Sequence, residues 1–137
     1  MKLMNIDRLR QIAVVDDDVS SRESLPDLLR TFGLEATSFA SAEDYLASDL
    51  LNKAHCLISD VSMPGMSGPD LLRELRRRQL KIPVIFITAL NDKELRASLL
   101  AQGVVECLFK PFSEDALRAA LDRAVGAPAS SPMWPAA

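Results

Sequence analysis

Short apolar runs alternate with longer polar stretches along this chain, and this alternation predicts its secondary structure. Five of the runs have the length and composition of buried strands. These runs are Gln11–Val15, Glu35–Phe39, Cys56–Ser59, Val84–Thr88 and Val104–Phe109. Because helical patterns separate them, the alternation predicts an α/β fold in which helices cover both faces of a five-stranded parallel sheet.

Leucine spacing between these runs indicates amphipathic helices, each with one stripe of apolar side chains facing the core. The stripes are Leu25, Leu28, Leu29 and Phe32; Leu71, Leu72 and Leu75; Leu95 and Leu99; and Leu117 and Leu121. A weaker helical pattern from Ser41 to about Leu51 follows the second strand. Five helices are therefore predicted.

Residues that favour helix ends support these helices, with one exception. Capping boxes are predicted at Ser20 to Glu23 and at Asn91 to Glu94, Pro69 suits a first turn, and Gly33 and Gly103 suit C-terminal caps. The exception is Pro26, which would lie inside the first helix and remove a backbone donor there. We expect a kink or a loosened first turn at that position.

The length of 137 residues suits one domain, and apolar residues at 48% with charged residues at 26% indicate a folded chain. The domain is predicted over 9–125, after an N-terminal extension at 1–8. Residues 126–137 are rich in Ala, Pro and Ser and are predicted to form a flexible tail or the start of a linker. No apolar stretch approaches the length of a membrane span or of a signal peptide core, so we expect a cytoplasmic protein.

Charge and cysteine content exclude some functions. The net charge of −3 argues against direct binding of nucleic acid by this chain. One basic run, comprising Arg73, Arg76, Arg77, Arg78 and Lys81, is interpreted as a solvated helix face. Cys56 and Cys107 lie in apolar runs without the further ligands of a zinc site, so buried reduced thiols are expected. His55 precedes the third strand, a strand's length from Asp60, and is interpreted as a surface or partly buried residue.

Polar residues follow four of the predicted strands, at the edge where parallel sheets bind ligands. They are Asp16, Asp17 and Asp18 after the first strand, Asp60 at the third, Thr88 at the fourth, and Lys110 followed by Pro111 after the fifth. Clustered carboxylates repel one another unless a cation neutralises them, and an all-oxygen site suits Mg²⁺. Because Mg²⁺ commonly bridges carboxylates to phosphate, the cluster indicates phosphoryl chemistry.

Four segments of the chain resemble the signature segments of response-regulator receiver domains, closest to the FixJ and NarL type. The segments are VVDDD, LISDVSMPGMSG, PVIFITA and LFKPF. The resemblance covers roughly residues 9 to 125 and implies the flavodoxin-like receiver fold with strand order 2-1-3-4-5. It also implies a cytoplasmic two-component signalling protein whose partner is a sensor histidine kinase or a phosphotransfer protein.

The resemblance implies a role for each candidate site residue. Asp60 corresponds to the phosphoacceptor, and the implied Mg²⁺ ligands are Asp16, Asp17, Asp60 and the backbone carbonyl of Ser62. Thr88 and Lys110 correspond to the groups that contact the phosphate, and the bond between Lys110 and Pro111 corresponds to a cis peptide. Asp18 falls beyond the acidic pair and is expected to cap the first helix. The chain would catalyse only its own Mg²⁺-dependent phosphorylation and dephosphorylation and is otherwise not an enzyme.

The sequence departs from this family at the usual switch aromatic, where it has Cys107. Phe109 and Phe112 are interpreted as core or interface residues and not as substitutes for that aromatic. Ser62 and Leu90 lie two residues beyond Asp60 and Thr88, where side chains flank the attacking water in relatives. Neither is a strong base, so we hypothesise slow self-dephosphorylation.

Several alternatives remain open. An aspartyl phosphatase would need a second Asp where Ser62 stands, and a flavin-binding domain would not place three carboxylates after the first strand. The chain could be a single-domain regulator, the excised receiver half of a DNA-binding transcriptional regulator, or a phosphorylation-independent interaction module. A phosphorylation-dependent contact, with a second copy of the chain or with another partner, is expected through the face of helix 4, strand 5 and helix 5, with apolar surface from Leu95, Leu99, Val105 and Ala116.

Overall fold

A computed structural model describes residues 10–126 of the chain. The predicted N-terminal extension at 1–8 lies outside the described residues, as does all but the first residue of the predicted tail at 126–137. Among residues 10–126, no helix is long and apolar enough to cross a membrane.

Five parallel strands form one sheet in the order β2-β1-β3-β4-β5, which confirms the predicted fold. The strands are β1 (Gln11–Val15), β2 (Glu35–Phe39), β3 (Cys56–Asp60), β4 (Val84–Thr88) and β5 (Glu106–Phe109). β3 extends one residue further than predicted, to Asp60. β5 begins two residues later than predicted, and the N–H of Val105 still donates to the carbonyl of Val84 (2.8 Å) just before it.

Helices cover both faces of this sheet. They are α1 (Val19–Thr31), α2 (Ala42–Leu46), α3 (Gly68–Arg77), α4 (Lys93–Ala101) and α5 (Glu114–Val125). The predicted helix from Ser41 to about Leu51 is wrong in its length, because α2 ends at Leu46 and a separate 3₁₀ turn spans Asp49–Asn52. The Ser48 hydroxyl donates to the carbonyl of Tyr45 (2.7 Å), and this local bond competes with continuation of the helix.

The start of α1 differs from the predicted capping box at Ser20 to Glu23, which is wrong. Asp18 is the N-cap, and its Oδ2 accepts a hydrogen bond from the N–H of Ser21 (3.1 Å). Asp18 still has the extended backbone of a residue that leaves β1 (φ −83°, ψ 122°), which is the conformation of an N-cap, so the helix begins directly after it. The predicted capping role of Asp18 is confirmed.

The predicted capping box at Asn91 to Glu94 is also wrong, for a similar reason. Asp92 is the N-cap of α4, and its Oδ1 accepts from the N–H of Leu95 (3.0 Å). A capping box does form at the start of α3, where Ser67 and Asp70 each accept from the other's backbone N–H (3.2 Å in both directions). Pro69 lies in the first turn of that helix, as predicted.

Pro26 lies within α1, which runs through it as one helix. Proline has no N–H to donate, so the carbonyl of Arg22 loses its usual helical partner. The Ser38 hydroxyl, on β2, donates to that carbonyl (2.9 Å). At the far ends of α1 and α4, Gly33 and Gly103 adopt φ values of 84° and 95°, which confirms their predicted positions.

The hydrophobic core has two layers, one on each face of the sheet. One layer joins the sheet to α1 and α5 through Ile12, Val14, Leu29, Ile58, Ile85, Ile87, Leu117 and Leu121. The other joins it to α2, α3 and α4 through Ala13, Val15, Tyr45, Leu57, Leu71, Leu75, Phe86 and Leu99. Cys56 and Cys107 are buried free thiols, as predicted. His55 is exposed, and its Nδ1 accepts from the N–H of Gln11 (2.9 Å).

Candidate functional site

Three carboxylates meet at the carboxyl ends of β1 and β3. One oxygen from each of Asp16, Asp17 and Asp60 lies within 4.8 Å of the others. Asp16 is fully buried, the Asp60 side chain is 13% exposed, and Asp17 faces solvent. The strand order reverses between β1 and β3, so the cluster lies where doubly wound sheets bind their ligands.

The buried carboxylate of Asp16 has two close partners. Its Oδ1 accepts from the N–H of Asp18 (2.9 Å), and its Oδ2 lies 3.3 Å from the ammonium of Lys110. A buried carboxylate is stable only when it is paired and hydrogen-bonded, and both conditions are met here.

Lys110 reaches this cluster from the end of β5. Its backbone N–H donates to the carbonyl of Thr88 (2.8 Å), and its bond to Pro111 is cis, as predicted. Its Nζ lies 4.0 Å from Oδ2 of Asp60 and is therefore shared between two carboxylates.

Asp60 has a strongly altered proton affinity. Burial and then the charge of Asp16 raise the pKa of Asp60 from 3.8 to about 6. The ammonium of Lys110 and the N–H of Ser62, which donates to Oδ1 of Asp60 (3.3 Å), favour the ionised form and act in the opposite direction. Asp60 therefore combines a high proton affinity with partial access to solvent.

Thr88 ends β4, next to β3, and is 1% exposed. Its Oγ1 accepts from the N–H of Leu90 (3.0 Å), so the hydroxyl proton can be donated elsewhere. Leu90 is 51% exposed, and Ser62 is also exposed.

Two residues beside the site were not singled out in the sequence. Gly68 begins α3, and a Cβ at this position would lie 2.4 Å from the backbone oxygen of Asp60. Glu43, in the first turn of α2, accepts from the N–H of Met66 (3.2 Å) in the loop between β3 and α3. The segment MPGMSG could have indicated the close approach at Gly68, whereas no local pattern relates Glu43 to this loop.

The donor set at this edge suits a hard divalent cation, because it consists of carboxylate oxygens from separate backbone elements. Mg²⁺ keeps several of its waters when it binds a protein, so its ligands must be accessible to solvent. Asp17 and Asp60 meet this condition. A site for a divalent cation therefore fits Asp16, Asp17 and Asp60. The backbone carbonyl of Ser62 stays a prediction.

Cys107 lies on β5 and is buried in the layer formed with α2, α3 and α4. Its backbone carbonyl accepts from Nε of Arg96 (3.0 Å), which joins β5 to α4. Phe112 packs against the opposite layer, in agreement with a core role, and Phe109 is partly buried.

Together, the sheet order and the polar groups at its switch point define a doubly wound α/β protein with a ligand site at the carboxyl edge of the sheet. The family model for the response regulator receiver domain matches residues 12–122. The chain belongs to this family and is therefore a signalling domain of two-component systems, and not a classical enzyme. Receiver domains interact with histidine kinases or phosphotransfer proteins.

Individual relatives agree with this assignment. Nodulation protein W of Bradyrhizobium diazoefficiens is 41% identical over 116 residues, covering 82% of this chain and 51% of that protein. The transcriptional regulatory protein FixJ of Azorhizobium caulinodans is 37% identical over 115 residues, covering 84% of this chain and 54% of that protein. The crystal structure of FixJ-N matches with a TM-score of 0.76 and 32% identity, covering 85% of this chain and 93% of that one. The chain spans about half the length of these curated relatives.

Proposed function

We propose that the chain accepts a phosphoryl group on Asp60 from a phosphohistidine of a sensor histidine kinase or phosphotransfer protein. The observation that carries the proposal is the partly exposed Asp60 carboxylate beside buried Asp16 and the ammonium of Lys110. An Asp60 oxygen attacks phosphorus as the phosphorus–nitrogen bond breaks, and the imidazole leaves and takes up a proton. The product is an acyl phosphate.

The other site residues would position and stabilise the transferring group. Asp16, Asp17, Asp60 and the Ser62 carbonyl are the proposed Mg²⁺ ligands, and the bound cation would neutralise negative charge on the phosphoryl oxygens. The ammonium of Lys110, now 4.0 Å from Asp60, would pair with one phosphoryl oxygen. The hydroxyl of Thr88 would donate its proton to another.

The output signal would begin at Thr88 and reach α4 and β5. Phosphorylation places acceptor oxygens on Asp60, and the Thr88 hydroxyl would move toward Asp60 to donate to one of them. β5, the neighbour of β4, would then repack. The buried Cys107 stands where relatives carry the switch aromatic, so this chain would signal without an aromatic rotamer change at that position. The contact from Arg96 to the Cys107 carbonyl offers a direct link from β5 to α4.

A groove beside Lys110 supports a kinase or phosphotransfer partner. It has a volume of about 420 Å³ and lies between α1 and the β5–α5 loop. Leu25, Leu28 and Phe112 give it apolar walls, which suits a docked helix that carries the donor histidine. Such a partner would operate in the cytoplasm, where we place the protein.

The proposed output is a protein contact through the face of α4, β5 and α5. One residue expected on this face is corrected, because Leu99 is 1% exposed and belongs to the core. Leu95, Val105 and Ala116 are partly buried and would supply the apolar surface of a phosphorylation-dependent homodimer. Direct contact with nucleic acid is not proposed, since the net charge is −3.

A second candidate function is that of the receiver half of a longer DNA-binding regulator. The observation in its favour is that the curated relatives, which include transcriptional regulators, are about twice as long as the matched region. The chemistry at Asp60 would be the same in both cases. Sedimentation with and without phosphorylation distinguishes a self-sufficient dimer from a chain that stays monomeric.

Slow loss of the phosphoryl group is part of the proposal. Ser62 and Leu90 occupy positions that flank the attacking water in relatives, and neither side chain can act as a strong base. Water attack on phosphorus, which breaks the phosphorus–oxygen bond and restores the Asp60 carboxylate, would therefore be unassisted. A phosphoprotein half-life of only seconds would refute this hypothesis.

The experiment that tests the proposal is intact mass after incubation with acetyl phosphate and Mg²⁺. We expect a gain of about 80 Da that requires Mg²⁺ and is absent from Asp60→Asn. The matched control is Asp49→Asn, an exposed carboxylate in the 3₁₀ turn, which should gain the same mass. Absence of the adduct even with a phosphorylated kinase would favour a phosphorylation-independent interaction module.

A further inference from the structure

A second cleft lies at the opposite edge of the sheet from Asp60, before the first residues of β4 and β5. Its volume is about 450 Å³. Three cationic side chains line it, from Arg76 on α3, Lys81 before β4 and Arg123 on α5. Ile82, Val105 and Ala124, all partly buried, supply apolar wall. No carboxylate is among the described residues that line this cleft, so its surface is both basic and apolar.

The cations of the cleft differ from the rest of the basic run in their ion pairing. Arg73 pairs with Asp70, and Arg77 and Arg78 both pair with Glu74. Within residues 10–126, by contrast, neither Arg76 nor Lys81 has a carboxylate within 4.0 Å. The positive charges near the end of α3 that no carboxylate neutralises, those of Arg76 and Lys81, therefore lie at the cleft.

Local contacts hold two of these cations at the cleft. Arg76 donates from one terminal nitrogen to the carbonyl of Gln102 (3.2 Å), which leaves its other N–H groups for a ligand. Arg123 lies 3.2 Å from Oε2 of Glu106, a carboxylate that also pairs with Arg96. Arg123 therefore shares its counter-ion with a second guanidinium and keeps part of its capacity to bind an anion.

We propose that this cleft binds an acidic peptide segment of a protein partner, in which carboxylates flank an apolar side chain. The carboxylates would pair with Arg76, Lys81 and Arg123, and the apolar side chain would pack on Ile82 and Val105. Both halves of this ligand match the lining, whereas a lone inorganic anion would contact the cations and leave the apolar wall uncovered. The site does not depend on phosphorylation of Asp60 and goes beyond the proposed function.

A nucleic acid is a poorer match to the same cleft. Phosphate-backbone binding requires a row of cations that neutralises many phosphates, whereas this cleft presents three. The remaining arginines of the run are already paired with Asp70 or Glu74. The net charge of −3 would further oppose a polyanion at a distance.

The test titrates the whole chain with a dye-labelled peptide in which aspartates flank two leucines, measured by fluorescence anisotropy. A matched peptide carries asparagine in place of each aspartate. The cleft variant combines Arg76→Gln with Lys81→Gln, both at exposed positions. The control variant combines Arg73→Gln with Arg77→Gln, which also removes two positive charges, both from α3 and both outside the cleft.

We expect the acidic peptide to bind with a dissociation constant that rises about tenfold in the cleft variant and changes little in the control variant. Added salt should weaken binding, and the amide signals of Gly103 and Ala124 should shift in ¹⁵N spectra of the unphosphorylated protein. Equal loss in both variants, equal binding of the asparagine peptide, or no binding would overturn the proposal. Binding of a DNA duplex at the cleft in preference to the peptide would also overturn it. Shifts of these amides that depend on protein concentration without peptide would do the same, because they would assign the cleft to a second copy of the chain.

Discussion

The ammonium of Lys110 lies closer to the buried carboxylate of Asp16, at 3.3 Å, than to that of Asp60, at 4.0 Å. Asp16 is fully buried and forms no other ion pair among residues 10–126. In the unphosphorylated protein Lys110 therefore acts first as the counter-ion of Asp16. The proposed contact with a phosphoryl oxygen would require only a short shift of this side chain toward Asp60.

This pairing predicts that Lys110→Met destabilises the metal-free protein. Asp16 would keep its burial but lose its counter-ion, and we expect the free energy of unfolding at pH 7 to fall by about 1–3 kcal/mol. Urea denaturation in the presence of EDTA measures the change. Lys53→Met, at an exposed position without an ion pair in the described structure, should change it by less than about 0.5 kcal/mol. A Lys110→Met protein as stable as wild type would contradict the assigned pairing.

The raised pKa of Asp60 predicts a specific dependence of stability on pH. In the folded protein Asp60 holds its proton up to about pH 6, whereas the unfolded chain releases it near pH 4. Between these values the folded state binds more protons, so the free energy of unfolding falls as pH rises. Asp60→Asn removes this slope and should stabilise the metal-free protein at pH 7 by about 1–3 kcal/mol.

Urea denaturation from pH 4 to pH 8, with EDTA, measures this effect. The control is Asp49→Asn, which changes an exposed carboxylate far from Lys110 in the sequence. Its free energy of unfolding should depend on pH as that of the wild type does. If the free energy of unfolding changes with pH in the same way for wild type and Asp60→Asn, the neighbours of Asp60 do not raise its pKa.

The position of Gly68 predicts a larger cost for Gly68→Ala than for Gly33→Ala. At Gly68 the new Cβ would meet the backbone oxygen of Asp60 at 2.4 Å and the ring of Phe86 at 2.7 Å, so the start of α3 must move. At Gly33 nothing lies within 4 Å, and only the φ of 84° is unfavourable for alanine.

We expect losses in unfolding free energy of about 2–3 kcal/mol for Gly68→Ala and about 1 kcal/mol for Gly33→Ala. Denaturation curves give these values, and ¹⁵N spectra should show the amide of Asp60 displaced in Gly68→Ala alone. Equal costs at the two glycines would show that α3 adjusts without strain.

The contact between Glu43 and the N–H of Met66 predicts an effect on the loop that follows Asp60. Glu43→Ala removes the acceptor, and amide exchange at Met66 should accelerate by roughly tenfold. Glu43→Gln keeps an acceptor oxygen and should restore most of the protection. Asp44→Ala, at the neighbouring exposed position of α2, is the control and should leave Met66 unchanged. Rapid exchange in wild type would mean that the contact is too transient to hold the loop.

Local patterns in the sequence were sufficient for the sheet and for most helices. The strand at Val84–Thr88 was predicted at its observed bounds, because a buried parallel strand leaves a continuous apolar run. Helix starts were less predictable. Several adjacent polar residues could each cap α1 or α4, and the choice of Asp18 and Asp92 depended on where the chain leaves the preceding strand.

By itself, the sequence determined that Asp16, Asp60, Thr88 and Lys110 lie at one edge of the sheet. Parallel strands bring their carboxyl ends to the same side, so the order of apolar runs and polar residues was enough. Only the tertiary structure decided that Lys110 pairs with Asp16, which is 94 residues away in the chain, and that Gly68 contacts the backbone of Asp60. Such contacts depend on how whole helices and loops pack on the sheet, and no local sequence pattern encodes that packing.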